Sequence, residues 1–444
     1  MRKPVVILGG GLAGLGAAVH LEGAATLYER QASLGGLCGQ ASVAGFRFDA
    51  VPHVLHFRDP AVLEFVTQLL GHRLRAYRRD ARVATHGTFL RYPFQAHLHG
   101  LPPAVVKECV DGRLAAGRCG PPETGTFDRW IATCFGDGIA RHFMVPYNTK
   151  FWTLPPSTLT CEWLDGLVPV PTSTETIRGA LEDDPTEYGY NVEFWYPSPG
   201  GLGALVQAFL ERVPRLRLDK RLVRIDTAHR HLHFADGEMV AYDHLLSSIP
   251  LPELRGLLDP LPHDVAEALD ALRWTSIAVV HLGLNTPARV PWHWAYVPDP
   301  EMAFYRVGIP SHYAPDAAPE GCSIVSAEIS YAPWRPLERA HLMPRVITEL
   351  RRLGIVGEES DVVVRKIVEL PYGYPIYDRQ YGWATTRLYE YLGTQAITPF
   401  GRFGSWRYLS VEQTLLDGHR AAAAIAGDHP AIHAQGQVKS LTPG

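Results

Sequence analysis

An α/β fold is predicted by three features of this 444-residue sequence. The apolar residues 5–8 are typical of a buried parallel strand, and they lead directly into a glycine-rich turn and a helix. A second apolar run ends at Glu29, about twenty positions after Gly9. Beyond residue 276, several β-branched runs are typical of antiparallel strands. Together these features predict a Rossmann-like domain that binds a dinucleotide, joined to a second part built on an antiparallel sheet.

The glycines of the first turn have separate physical tasks. Gly9 permits the tight turn, Gly11 lets the backbone approach a pyrophosphate, and Gly14 lets the helix pack close to the strand. The pyrophosphate would then face the helix N-terminus, and Glu29 would accept hydrogen bonds from a ribose. Strand, glycines, helix and acid together favour a dinucleotide site over a merely glycine-rich turn.

The segment after Glu29 distinguishes between dinucleotides. It continues through Arg30 to the pair Gly35-Gly36. This segment resembles the one in glutathione-reductase-like flavoproteins, where a Gly-Gly pair follows the ribose-binding acid. The resemblance implies that the cofactor is FAD, whereas the spacing alone predicts only a dinucleotide.

Composition limits the partners that this chain can have. The net charge of −4 provides no long-range field for nucleic acid or an anionic membrane, and no apolar run approaches the roughly twenty residues of a membrane span. The cysteines form no C-x-x-C pair, so they suggest neither a disulfide framework nor a zinc site, and they favour a reducing, cytoplasmic location. The six cysteines are Cys38, Cys109, Cys119, Cys134, Cys161 and Cys322.

The domain organisation predicted from this pattern is discontinuous. Residues 1–90, 195–255 and 370–428 are expected to form the FAD-binding domain, because distant segments must return to one cofactor. Residues 91–194 are expected to form a mainly helical insertion, residues 256–369 a β-sheet substrate domain, and residues 429–444 a flexible tail. Helices are predicted over residues 60–70, 260–272, 342–353 and 412–426, with Asp59 as the N-cap of the first.

Aromatic residues and arginines are concentrated in loops rich in proline and glycine. Such walls suit a ligand with a planar ring and negative charge, because rings stack and guanidinium groups bind phosphate or carboxylate oxygens. The simpler alternative is that the tryptophans belong to the core.

Five segments, taken together and in order, carry a more specific resemblance. They closely resemble UDP-galactopyranose mutases, especially the eukaryotic form, and are more distantly similar to flavin amine oxidases and protoporphyrinogen oxidase. The segments are RYPFQ (91–95), FMVPYNTKFW (143–152), FYR (304–306), GYP (373–375) and GRFGSWRY (401–408).

This resemblance implies a role for each matching residue. The nucleobase and its ribose would be held by Phe94, Gln95, Tyr147, Asn148 and Trp152. The diphosphate would be held by Tyr296, Arg306, Tyr313, Tyr374 and Tyr408. Among the catalytic residues Arg306, His53, Tyr374 and Tyr408, His53 would lie at the flavin face. Cofactor contacts are expected from Gly9, Gly11, Gly14, Glu29, Arg30, Gly35, Gly36, Val223, Arg402 and Tyr408.

The resemblance also implies a reaction without net redox change. In that family, N5 of the reduced flavin attacks the anomeric carbon of a nucleoside diphosphate sugar, and the pyranose is converted to the furanose. The flavin must first be reduced, with NAD(P)H as a candidate donor. The substrate would be a small molecule, and an oligomer is compatible with the sequence.

Two departures from the family pattern keep an alternative open. Leu167 stands where the family places a second phosphate-binding arginine, and Val51-Pro52 stands where it has Gly-Gly. Loss of one charged contact weakens diphosphate binding, and proline restricts a backbone flip. The alternative is an FAD-dependent oxidoreductase of the amine oxidase or protoporphyrinogen oxidase type, and a third interpretation keeps FAD as a structural group only.

Two groups of histidines raise the possibility of a metal site. His229, His231 and His233 alternate along a predicted hairpin strand, and His53 and His56 lie three positions apart. No acid or cysteine completes a ligand set, so we expect no metal. A Ser-His-Asp hydrolase is also not expected, because the sequence lacks a G-x-S-x-G elbow.

Overall fold

The computed structural model describes residues 4–116, 125–164 and 166–427. The helices are α1 (Leu12–His20), α2 (Pro60–Leu70), α3 (Pro103–Ala115), α4 (Phe127–Ile139), α5 (Val145–Trp152), α6 (Ser173–Leu181), α7 (Gly201–Leu210), α8 (His263–Ala271), α9 (Arg339–Arg352), α10 (Tyr381–Thr394), α11 (Gly401–Gly404) and α12 (Val411–Gly427). The first ten strands are β1 (Val5–Leu8), β2 (Ala25–Tyr28), β3 (Gln40–Val43), β4 (Phe46–Asp49), β5 (Leu74–Arg78), β6 (Ala81–Thr85), β7 (Thr88–Arg91), β8 (Glu193–Pro197), β9 (Leu216–Arg217) and β10 (Leu222–Asp226). The others are β11 (His231–Phe234), β12 (Met239–Ala241), β13 (His244–Ser247), β14 (Leu258–Asp259), β15 (Trp274–Leu284), β16 (Trp294–Tyr296), β17 (Arg306–Gly308), β18 (Ser323–Tyr331), β19 (Val362–Pro375) and β20 (Ile397–Pro399).

A parallel five-stranded sheet forms the base of the nucleotide-binding part. Its order is β20-β13-β1-β2-β9, so the strand before the glycine turn lies at its centre. β1 is apolar throughout because both faces of a parallel sheet are covered, here with helices α1 and α12 on one side. All five strands come from residues 1–90, 195–255 and 370–428, the three segments that we expected to share one cofactor.

A seven-stranded sheet forms the second part, in the order β19-β15-β18-β17-β16-β6-β7. The long strand β15 pairs antiparallel with β18 and β19, whereas β16 pairs parallel with β6. Residues 81–90, which we expected in the nucleotide-binding part, instead extend this sheet, because β6 pairs with β16. β19 likewise continues to Pro375, past the expected boundary at residue 370. The division into domains stays a prediction.

Several local predictions are confirmed. Asp59 caps α2 by accepting a hydrogen bond from the Ala61 N–H, and residues 60–70 are helical. α8, α9 and α12 fall within two or three residues of the helices predicted near 260, 342 and 412. The predicted tail, 429–444, lies outside the described residues. The cysteines differ from the expectation that none forms a disulfide. Cys134 is disulfide-bonded, whereas Cys38, Cys109, Cys161 and Cys322 are free thiols.

Two findings bear on membranes and metals. Across residues 4–116, 125–164 and 166–427, no helix has both the length and the apolar character to cross a bilayer. Within the same residues, no group of three or more His, Cys, Asp or Glu side chains is arranged to hold a metal ion.

His281 makes the stability of the fold depend on pH. Its ring is 1% exposed in β15, and Nδ1 lies 2.8 Å from the Ser326 hydroxyl oxygen. Burial lowers the pKa of His281 from 6.5 to about 4. The unfolded chain therefore binds a proton in this window that the folded chain does not. The contribution of His281 to the free energy of unfolding is fully present above pH 6.5, and it is lost as the pH falls towards the folded-state pKa.

We expect the free energy of unfolding to fall by about 2 kcal/mol through this residue when the pH is lowered from 7 to 5. Urea unfolding of wild type and His281→Asn at both pH values measures the difference. The variant should lose less stability than wild type over this range. The same loss in both proteins would contradict the assignment.

Candidate active site

One cavity of about 1030 Å³ extends from the glycine turn to the face of the seven-stranded sheet. The loop after β1 and the start of α1 form one end. α5, β16, β17 and the end of β19 contribute to the other end, and the loop after α11 closes one side. The cavity therefore brings together segments that are hundreds of residues apart in the sequence.

The glycine turn has the geometry that a dinucleotide requires. Gly9 has a φ of +100°, which favours glycine, and its N–H donates to the Tyr28 carbonyl oxygen at 2.9 Å. A Cβ added at Gly14 would lie 1.9 Å from the Gly9 carbonyl oxygen, so only glycine allows this close contact. A Cβ added at Gly11 would meet no protein atom within 4 Å and would face the cavity. The turn thus fits a pyrophosphate at the N-terminus of α1.

The acidic end of β2 is fixed beside this turn. Glu29 accepts hydrogen bonds from the N–H groups of Gly10 at 2.7 Å and Gln31 at 2.8 Å, and both carboxylate oxygens keep further lone pairs for a ribose. Arg30 forms an ion pair with Glu253 at 2.9 Å on the rim of the cavity. Gly35 and Gly36 lie against the turn, since the Gly35 N–H donates to the Gly10 carbonyl oxygen at 2.9 Å.

The side chain of Val223 does not line the cavity, and its expected contact with the cofactor stays a prediction. Leu222 lines the cavity, but the next side chain points away from the wall and is 41% exposed. Strand alternation explains this difference, because β10 begins at Leu222 and neighbouring residues face opposite sides.

Gly11 allows a direct test of cofactor binding. In Gly11→Val the new Cβ would meet no protein atom within 4 Å, the side chain would face the cavity, and a φ of −74° suits any residue. We expect a folded protein that purifies with less than a tenth of the wild-type flavin absorbance. Flavin absorbance and thermal unfolding measure the two effects. Gly382→Ala, also in open space, is the control, and full flavin content in Gly11→Val would contradict the site.

A second end of the cavity is formed by a cation and aromatic rings. Arg402 donates to the carbonyl oxygens of Leu409 at 2.6 Å and Gly373 at 3.0 Å, and its guanidinium carbon lies 4.8 Å from the ring centres of both Tyr374 and Tyr408. No carboxylate of the described residues forms an ion pair with it. The Arg402 Nε atom is buried and has no hydrogen-bond partner among the same residues. This leaves a donor and a positive charge for polar atoms of a bound ring system.

His53 lies beside this cation and is neutral. Burial lowers the pKa of His53 to about 3, and the charges of Arg402 and Arg306 act in the same direction. Its Nδ1 atom is buried and lacks a partner among the described residues. Unpaired buried polar atoms are costly, so the histidine and the arginine both fit a site that a polar cofactor completes.

Arg306 lines the cavity, but a buried acid holds it. Its Nε and Nη2 atoms donate to Glu328 at 2.5 and 2.7 Å, and Nη2 also donates to the Pro52 carbonyl oxygen at 3.4 Å. Tyr305 donates to the same carboxylate at 2.9 Å. Burial alone would lower the pKa of Arg306, but the negative charge of Glu328 outweighs this and raises it, so the guanidinium stays charged. The pair presents less net charge to a ligand than a free arginine would.

The expected nucleobase residues divide into two groups. Gln95, Tyr147 and Asn148 line the cavity, and Gln95 is oriented by donating to the Pro169 carbonyl oxygen at 2.7 Å. Phe94 and Trp152 are 0% exposed and lie behind the wall. Phe94 stacks on Phe143, and Trp152 contacts the rings of Phe151, Trp163, Tyr374 and Tyr408. The remaining tyrosines, Tyr296 and Tyr313, line the cavity together with Leu167.

Three residues of this region escape prediction from sequence. Glu328 neutralises Arg306, Asn191 lines the cavity, and Lys150 lies behind the wall within the motif PYNTKFW. An acid inside the apolar run SIVSAEISY was the available signal for Glu328. Asn191 lies in an irregular loop that carries no such signal.

Comparison with known proteins defines the family to which this protein belongs. Residues 12–440 match the family described as flavin containing amine oxidoreductase, and the chain belongs to this family. Its cofactor is FAD, as the sequence predicts and as the cavity fits. A solved structure of reduced UDP-galactopyranose mutase is 27% identical, with a TM-score of 0.90 over 96% of this chain and 94% of that one. The resemblance to this mutase is thereby confirmed, while its eukaryotic form stays a prediction.

Other flavoproteins share the fold at lower identity. A putative protoporphyrinogen oxidase from Exiguobacterium sp. 255-15 is 19% identical, with a TM-score of 0.75 over 96% of this chain and 99% of that one. A putrescine oxidase is 14% identical, with a TM-score of 0.65 over the same shares. These similarities extend to the fold alone.

Proposed function

We propose that this protein is an FAD-dependent pyranose/furanose mutase that acts on a nucleoside diphosphate sugar. The observation that carries the proposal is the single cavity in which the dinucleotide turn and Arg402 meet Arg306, Tyr374 and Tyr408. Its likeness to a UDP-galactopyranose mutase over nearly the whole chain supports the same reaction. When bound and reduced, FAD supplies the nucleophile N5 that the reaction needs.

The tyrosines of the cavity act as hydrogen-bond donors. Burial raises the pKa of Tyr147, Tyr313, Tyr374 and Tyr408, so these phenols stay protonated at neutral pH. Protonated phenols donate to phosphate oxygens, and the Arg306 guanidinium adds positive charge where the diphosphate departs. Positioning and charge, rather than a general base, are the work of the protein, since a pKa of about 3 makes the buried His53 a weak base.

The reaction is testable with the loaded enzyme. FAD-containing protein, reduced with dithionite under anaerobic conditions, is incubated with UDP-galactopyranose and other sugar nucleotides, and the products are separated by anion-exchange chromatography. We expect a furanose product from one sugar nucleotide, no turnover by the oxidised enzyme, and no consumption of reductant per turnover. Absence of a furanose product across the whole panel would refute the proposal.

A flavin-dependent oxidoreductase is the second candidate. It is favoured by the charge of the cavity, because Leu167 supplies no cation and Glu328 neutralises Arg306. This candidate predicts that an amine or polyene substrate bleaches the oxidised flavin stoichiometrically without oxygen. Anaerobic absorbance titration distinguishes the two, since a mutase substrate leaves the oxidised flavin unbleached.

A further inference from the structure

His56 lines the cavity but has no part in the reaction described above. It lies near the loop before β8, with its Nδ1 atom 3.3 Å from the Glu193 carbonyl oxygen. Its ring meets Tyr190 and Phe194 edge-on, at centroid distances of 5.8 and 6.5 Å. These contacts hold the imidazole in one orientation at the cavity wall.

The hydrogen bond to Glu193 fixes which nitrogen of His56 is free. A carbonyl oxygen can only accept, so Nδ1 carries the hydrogen and Nε2 presents a lone pair. Nε2 has no partner among residues 4–116, 125–164 and 166–427. Burial lowers the pKa of His56 to about 4, with the charges of Arg79, Arg306 and Arg58 acting in the same direction, so the ring is neutral at pH 7.

Asn191, which also lines the cavity, supplies the complementary group. Its Oδ1 atom accepts a hydrogen bond from the buried Arg79, which leaves the Nδ2 hydrogens as its free donors. Asn191 follows Tyr190 in sequence and lines the same cavity as His56. An acceptor and a donor in one wall suit a hydroxyl group, which both donates and accepts.

We infer that His56 is a specificity-determining residue whose Nε2 accepts a hydrogen bond from a hydroxyl group of the sugar part of the ligand. The inference rests on the proposed function. The charge of Arg306, which would meet the diphosphate, acts on the pKa of His56. The expected nucleobase residues lie elsewhere, on and beside α5, and they are Gln95, Tyr147 and Asn148. The sugar follows the diphosphate, so its hydroxyl groups come to this side of the cavity.

The test compares a nucleotide with and without its sugar. UDP and UDP-galactose are titrated into oxidised FAD-loaded protein, and binding is followed by the change in flavin absorbance. His56→Phe keeps a ring of similar size against Tyr190 and Phe194 and removes the acceptor. We expect the variant to bind UDP-galactose about tenfold more weakly than wild type and UDP equally well. His263→Phe, an exposed position, is the matched control.

Deoxy analogues of UDP-galactose provide a second measurement, the first part of which uses wild type alone. One analogue should bind wild type about tenfold more weakly than UDP-galactose, and His56→Phe should bind both alike. An equal loss for UDP and UDP-galactose would show a structural role and overturn the inference, as would no loss at all. If wild type binds UDP and UDP-galactose equally, the inference fails while the nucleotide site stands. If wild type binds neither, the proposed function fails and the inference with it.

Discussion

Replacing Lys150 by methionine is expected to lower the free energy of unfolding by about 3 kcal/mol and to weaken ligand binding at the cavity. Lys150 is 4% exposed and lies on α5. Its Nζ atom donates to the carbonyl oxygens of Val297 at 2.9 Å, Asp299 at 2.7 Å and Phe304 at 2.7 Å. Methionine has a similar length but no donor, so buried acceptors would lose their partner.

The same contacts explain an effect on binding. The three carbonyl groups belong to the segment that joins β16 to β17, and these strands carry Tyr296 and Arg306. α5 carries Tyr147 and Asn148, so one ammonium group holds two walls of the cavity together. We therefore expect UDP to bind Lys150→Met at least tenfold more weakly than wild type, with flavin content unchanged.

Urea unfolding and flavin absorbance titration measure these two effects. Lys107→Met is the matched control, because Lys107 is exposed on α3 and forms an ion pair with Asp111. A variant as stable as wild type would show that the buried ammonium contributes nothing net. Normal stability of Lys107→Met together with a loss in Lys150→Met supports the assignment.

The nucleotide-binding turn could be predicted from sequence because its signals are local. The strand, the glycines, the helix and the acid lie within one short segment, and the role of each glycine is explained within that segment. The same holds for the cap at Asp59, whose partner is two residues away. Predictions of this kind need no knowledge of how distant segments meet.

The partner of Arg306 could not be predicted in this way. Glu328 lies 22 positions away, and only the register of β17 against β18 brings the two residues opposite each other. The orientation of the Val223 side chain could not be predicted for a related reason. β9 and β10 belong to different sheets, and the break between them decides which side chains face the cavity.

Motif matching also failed to separate residues that line the wall from those that support it. Phe94 and Trp152 match their motifs as well as Gln95 and Tyr147 do, yet they are fully buried behind the wall. Large apolar side chains exclude water from the wall and orient their neighbours. Sequence similarity alone does not distinguish this task from contact with a ligand.

Replacing Arg306 by methionine is expected to lower turnover of the sugar nucleotide by about 10²- to 10³-fold. Under the proposed function, the guanidinium would be the charged donor that faces the departing diphosphate. Removing it also leaves Glu328, which is 0% exposed, without its partner, and an uncompensated buried charge costs about 3–5 kcal/mol of stability. The single variant therefore combines two losses, one of chemistry and one of folding.

A double variant separates these losses. Arg306→Met with Glu328→Gln removes both charges, so most of the stability should return while turnover stays low, because no cation meets the diphosphate. Chromatographic assay of the reduced enzymes and urea unfolding measure turnover and stability in parallel, and Arg352→Met, at an exposed position, is the control. Recovery of turnover in the double variant would show that Arg306 only neutralises Glu328. In that case the phenols and Arg402, rather than Arg306, would hold the diphosphate, and the mutase proposal would stand without a catalytic role for Arg306.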